Sequence, residues 1–330
     1  MSEYNIGPTA FLATIWVCVG VQCVFLVCRL VLRVKLDRRW LAEDMFVLIS
    51  WLLSLANTCL WTVVREQLYL FTAFTRASDL GSDMQLPANI SRMATRYLRS
   101  QLAGYYLSYL SLWCVKLSFV FFFYKLGSKY RLQRILWWTV LVLVIASFGG
   151  CMGMLNYSCG LSSFEDMLEN CSNAHSIWYQ RVSLRVAPAL DIVTDAAIIF
   201  LSGNSLWRTR ITGLKKIALI GISLLTAFII IIALIRMILG QSSSVMVDPA
   251  WLNVWNAIEI LVAIIVACLA SFWTFYNKSK QSKSQFTSNS SGFRSDNTSM
   301  EAPILLRDND SIADTAHQKS IVYLHRWDVL

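Results

Sequence analysis

Seven apolar stretches, each about as long as a bilayer is thick, fill the chain between Thr9 and Tyr276, and almost every one carries a charged residue. A hydrocarbon core of about 30 Å takes about 20 helical residues to cross. The stretches are 9–32, 43–64, 102–124, 135–155, 182–201, 217–239 and 254–276. The expected fold class is an all-α membrane protein, a seven-transmembrane helix bundle. Its organisation reads as a short N-terminal segment 1–8, a membrane domain 9–276 and a Ser-rich tail 277–330 that is expected to be disordered.

Short connectors leave little room for a separate soluble domain. The net charge of +9 does not mark a nucleic-acid binder. Most basic residues lie in short loops beside the spans, where anionic lipid and the insertion machinery account for them. Arg33, Lys35, Arg38 and Arg39 follow the first span; Lys125, Lys129, Arg131 and Arg134 follow the third; Arg208, Arg210, Lys215 and Lys216 follow the fifth. The first eight residues and the stretch 240–253 hold no Lys or Arg. The bias places the N-terminus outside and the C-terminus inside. One loop resists it: 65–101 is expected outside, yet holds Arg65, Arg76, Arg92, Arg96 and Arg99.

The sequons at Asn89, Asn156 and Asn170 fall in loops expected outside and are glycosylation candidates. Cys159 and Cys171 share one such loop, where a disulfide is expected, with Cys151 as a competing partner. The remaining cysteines lie in spans and read as packing residues. No cleavable leader is expected, because the first apolar run is long enough to remain as an anchor.

Charges inside the spans carry most of the functional information. Such residues face the bundle and find partners. Lys116 and Asp195 have similar depth in the third and fifth spans. Asp191 lies one turn from Asp195 on the same helical face. These three form an expected buried polar cluster. Arg236 and Glu259 match in depth and sign near the outer surface. At the inner rim, Arg29 can meet Glu43 or Asp44. Three readings stay open for such groups: glue between helices, a ligand or ion site, and a proton relay.

Signals for catalysis are poor. The histidines are His175, His317 and His325, and no H-E-x-x-H, G-x-S-x-G or Walker loop occurs. No enzyme activity, cofactor or metal is expected. Retinal would need a lysine in the last span, and none lies between Trp255 and Tyr276.

The same residues stand in a recognisable order. Glu43-Asp44 opens the second span. Trp113-Cys114-Val115-Lys116-Leu117-Ser118-Phe119 precedes Phe123-Tyr124-Lys125-Leu126. Then come Cys159 and Cys171, Thr194-Asp195, Leu206-Trp207-Arg208, Lys215-Lys216-Ile217-Ala218-Leu219, Ile235-Arg236 and Trp255-Asn256-Ala257-Ile258-Glu259. Together these resemble the fungal rhodopsin-like domain of integral membrane proteins, the family of satratoxin-cluster-type membrane proteins and of receptor-like proteins of filamentous fungi. The resemblance covers about 25–276. The chain departs from it at Phe200-Leu201-Ser202-Gly203-Asn204, where the family has a Leu-Pro-x-Pro.

The resemblance implies a fungal, multi-pass protein of receptor-like type in the plasma membrane. It would sense an unknown extracellular ligand and meet lipid, with a cytoplasmic signalling partner reached through loops and tail. The alternative is a transporter or accessory membrane protein of a secondary-metabolite pathway. No Asp-Arg-Tyr closes the third span and no Asn-Pro-x-x-Tyr the last, so coupling to G proteins has no support in the sequence.

Overall fold

In hydrocarbon no water is at hand for backbone N–H and C=O groups, so an apolar segment of bilayer length satisfies them within itself as a helix. The computed structural model describes residues 6–36, 41–79, 90–127, 131–155, 157, 174–208 and 249–292. These form six helices: α1 (Pro8–Leu36), α2 (Ala42–Asp79), α3 (Ile90–Gly127), α4 (Arg131–Gly153), α5 (Ala174–Arg208) and α6 (Pro249–Gly292). Each contains a segment long and apolar enough to cross a membrane.

The expected count of seven is thereby corrected: among the described residues the membrane-length helices number six. The stretch 217–239 lies outside the described residues. The physical reason is that a hydropathy run shows only that a segment tolerates hydrocarbon.

The helices also overrun their hydropathy windows. α2 and α3 are 38 residues each, about 57 Å at 1.5 Å per residue, almost twice the hydrocarbon thickness. α6 continues to Gly292, past the Tyr276 at which the span was expected to end and the tail to begin. Chain contacts separate Met1–Lys280 from Gln281–Leu330. The first unit holds the apolar bundle; of the second, residues 281–292 are described and are helical.

Small polar residues let α2 and α3 pack closely. Ser50 and Ser111 share a hydrogen bond of 2.9 Å, and Asn57 Nδ2 donates to Ser108 Oγ at 3.1 Å. At Gly104 an added Cβ would stand 3.0 Å from Trp61 Cζ2, so glycine sets the α2–α3 spacing there. In a bundle without a hydrophobic force between helices, such contacts and tight packing hold neighbours together. Indole donors tie α3 to α4: Trp113 Nε1 donates to Val144 O (3.1 Å) and Trp137 Nε1 to Val120 O (2.7 Å). Ser183 Oγ donates to Met154 O, and Asn204 Nδ2 to Gln133 Oε1, tying α5 to α4 and the turn after it.

The apolar core falls into two clusters. The larger joins all six helices, from Leu26 and Val47 through Phe119, Val140 and Leu201 to Ile264. The smaller lies toward the N-terminal end of α1, where Phe11, Ile15, Trp61, Val64, Leu68, Tyr97, Ala250 and Val254 pack together. Phe71 stacks on Tyr97 with ring centroids 4.7 Å apart, which holds α2 to α3 beyond the hydrophobic window of both.

Candidate functional site

Two groups of charge are buried in the bundle. The first sits at the end that bears the basic loops. Arg29 and Arg33 are four apart on α1 and so share a face. They meet the adjacent acids Glu43 and Asp44 in the first turn of α2. Arg29 Nε and Nη2 both reach Asp44 Oδ1 at 2.9 Å, and Nη1 donates to Ala267 O on α6 at 2.5 Å. Arg33 Nε donates to Asp44 Oδ2 at 2.5 Å, and its Nη2 donates to Glu43 Oε1. These side chains are at most 6% exposed. Ser118 Oγ of α3 donates to Glu43 O. The quartet thus links α1, α2, α3 and α6, with two positive charges against two negative.

The second group lies deeper. At 1.5 Å per residue Lys116 is about 12 Å along α3 from Tyr124. Its neighbours on that face, Leu112, Phe119 and Phe123, are bulky and apolar, so the ammonium has one polar wall, supplied by α5. Asp191, Thr194 and Asp195 are spaced three and four apart and share a face of that helix. Lys116 Nζ lies 2.8 Å from Asp191 Oδ1 and 2.8 Å from Asp195 Oδ1. It donates to Thr194 Oγ1 at 2.7 Å and to Asp191 O at 2.9 Å. Asp191 Oδ1 makes no hydrogen bond of acceptable angle, so that contact is mainly Coulombic. The ring of Trp113 lies 5.3 Å from Nζ, within cation–π range. Pro188 lies in α5 one turn before Asp191 and removes one N–H from the helical ladder.

Beside Lys116 runs a cavity of about 40 Å³ between α3, α5 and α6. Asp191, Asp195, Ser202 and Glu259 line it with Phe119 and Ile198. One water needs about 10–15 Å³, so the space suits about three waters and falls well short of the about 300 Å³ or more of a drug-sized ligand pocket. A separate cleft of about 430 Å³ opens at the start of α3. Leu60, Arg92, Thr95, Arg96, Arg99, Ser100 and Ala103 line it.

The structure brings Lys116, Asp191 and Asp195 together, and brings Arg29 to Asp44. It adds residues that sequence reading passed over. By hydropathy Arg33 reads as a loop charge, although its i, i+4 relation to Arg29 opposite two acids is a usable signal. Thr194 has no signal beyond its place between the aspartates. Glu259 lines the cavity; the Arg236 expected beside it lies outside the described residues.

Asn89, Asn156 and Asn170 also lie outside them, as do Cys159 and Cys171. The expected disulfide is not matched: both its cysteines lie outside the described residues, and among the described ones there is none, Cys18, Cys23, Cys28, Cys59, Cys114, Cys151 and Cys268 all being free thiols. Cys151, the competing partner, is buried and directs its thiol toward Ala187 O at 4.0 Å. Among the described residues no cluster of His, Cys, Asp and Glu could hold a metal ion.

The six membrane-length helices among the described residues, around buried, paired charges, define a multi-pass integral membrane protein in contact with lipid. The model of the fungal rhodopsin domain matches residues 28–278, three-quarters of the chain, and the protein belongs to that family. No curated protein and no solved structure matches the sequence.

Proposed function

We propose that this is a receptor-like protein of the plasma membrane, with its N-terminus outside, that senses an extracellular ligand without retinal and without catalysis. The supporting observation is the Lys116 site. One ammonium faces two carboxylates beside room for a few waters, so the same residues allow more than one ion-paired arrangement. Bistable packing of this kind is what a ligand can bias at a distance. The absence of a lysine between Trp255 and Tyr276 supports a role without a Schiff base. Signals would leave through the basic loops and the tail, which supply a partner surface on the inside.

The transporter alternative draws on the same charges. A 40 Å³ cavity favours, at most, a proton or a small cation as its cargo. Full-length protein in liposomes of phosphatidylcholine, given a pH gradient or a sodium gradient, separates the two. The receptor reading expects no net flux above protein-free liposomes. Proton or sodium flux that disappears in Lys116→Met would replace it with transport.

A further inference from the structure

The arginines of 65–101 conflict with the charge bias of the other loops, and the insertion rule does not explain those on α3. Helix length removes the conflict with lipid. Arg99 lies about 37 Å along α3 from Tyr124 and Arg92 about 48 Å, at 1.5 Å per residue, against a hydrocarbon core of about 30 Å. With Tyr124 at the inner edge of the hydrocarbon, Arg99 falls at headgroup level and Arg92 in water beyond it.

The sequence of this segment separates two faces. Ala94 and Tyr97 are buried, Tyr97 against Phe71 of α2. Arg92, Arg96 and Arg99, at i, i+4 and i+7, are all exposed on another face. Packing thus fixes which way the arginines point. Arg92 lies in the first turn of α3, which holds no acidic residue, and a cation there opposes the helix dipole. Yet three guanidinium groups line one cleft of about 430 Å³ with Thr95 and Ser100, and no acidic residue is among its described lining.

Adjacent arginines on one helical face are about 5–6 Å apart at Cβ, close enough for two forks to converge on one anion. A guanidinium fork matches phosphate or carboxylate oxygens. A phosphate group offers three terminal oxygens and up to two charges, and so can engage more than one fork, whereas a carboxylate offers two oxygens and one charge.

We propose that the Arg92–Arg96–Arg99 cleft binds a phosphate group, presented by a soluble phosphorylated ligand or by the headgroup of an anionic lipid. As the ligand site of a receptor it rests on the reading above; as a binding site it is tested without any signalling readout, so the two can fail separately.

The test uses full-length protein in phosphatidylcholine nanodiscs. Inorganic pyrophosphate is titrated by calorimetry, citrate is the polycarboxylate control, and parallel discs carry phosphatidic acid, with bound lipid read by native mass spectrometry. The R92Q/R96Q/R99Q variant keeps the buried face of α3 intact and is checked for unchanged elution. Pyrophosphate should bind wild type at least about tenfold more tightly than the variant, as the loss of even one charge-assisted bond requires. Its affinity should also fall with salt. Binding of phosphatidic acid alone, lost in the variant, identifies lipid as the source and upholds the proposal. Equal binding of pyrophosphate or lipid by wild type and variant, citrate binding as tight as pyrophosphate, or no binding of either phosphate probe overturns it.

Discussion

The quartet at the end with the basic loops and the cluster around Lys116 are built from the same residue types, yet they differ in balance and in space. Arg29, Arg33, Glu43 and Asp44 match charge for charge, outside the lining of the cavity beside Lys116 and with side chains no more than 6% exposed. Lys116 faces two carboxylates next to a water-sized cavity, and the three side chains are 7–13% exposed. Removing buried charges from water costs several kcal/mol per ion, recovered only with close pairing and full hydrogen bonding. The quartet meets that condition and holds four helices in register. Among the described residues the Lys116 cluster carries an excess carboxylate, which pure glue does not need. Balance without space marks a joint; imbalance with space marks a group able to change partners.

The largest expected effect tests the joint. Asp44 accepts from both arginines, so Asp44→Asn leaves two guanidinium groups short of countercharge. Breaking a buried pair costs ~3–5 kcal/mol. We expect little monodisperse protein by size exclusion after detergent extraction. Near-normal yield would show that the quartet is not what fixes the bundle.

Next is Lys116→Met, which leaves two carboxylates without their cation. The cavity admits water to them, so the loss should be smaller than for Asp44→Asn, about 2–3 kcal/mol. Adding Asp195→Asn removes one stranded charge and should restore part of the folded yield. A double variant no better than Lys116→Met would mean that Lys116 and Asp195 are not energetically coupled.

How far these regions are legible in sequence differs too. Lys116 with Asp191 and Asp195 follows from depth and from i, i+4 spacing, because both are set by helix geometry alone. Arg33 does not, because the hydropathy window closed the first span at 32 and left the residue among loop charges; α1 runs to Leu36. The same bias hid Glu259 as a cavity residue. Its depth was measured from a window starting at 254, whereas α6 begins at Pro249. The lengths of α2 and α3 were also out of reach. Their outer turns are polar, and what orders them is tertiary packing such as the Phe71–Tyr97 stack. Hydropathy measures what hydrocarbon tolerates; it does not see a helix continued by its neighbours.

A finer probe of the mobile-partner idea is Thr194→Val. The hydroxyl accepts from Lys116 at 2.7 Å and itself reaches Leu190 O at 3.0 Å. Val keeps the shape but removes both the bond accepted from Lys116 and the hydroxyl's donation to a backbone carbonyl, a net loss of about 1–2 kcal/mol. The melting temperature followed by intrinsic tryptophan fluorescence should drop slightly, with yield unchanged. A loss as large as that of Lys116→Met would assign the hydroxyl, not the carboxylates, the main share of the cluster.

The smallest expected effect is the most discriminating, because it applies the change made at Asp44 to the other region. Lys116 Nζ has three N–H groups but four oxygens within 2.9 Å: Asp191 Oδ1, Asp191 O, Thr194 Oγ1 and Asp195 Oδ1. Asp195→Asn leaves the ammonium with the Asp191 carboxylate as countercharge and two hydrogen bonds, and it brings the cluster to charge balance. The amide keeps the side chain's size, and the cavity gives its NH₂ room for a water partner. Stability should therefore change by less than about 1 kcal/mol in either direction, against ~3–5 kcal/mol for Asp44→Asn. The two variants, compared side by side for folded yield and melting temperature, decide whether imbalance is a meaningful distinction. Equal damage would make Asp195 a joint like Asp44. Intact folding with an altered response to the outside ligand would mark Asp195 as the surplus partner through which the Lys116 site switches.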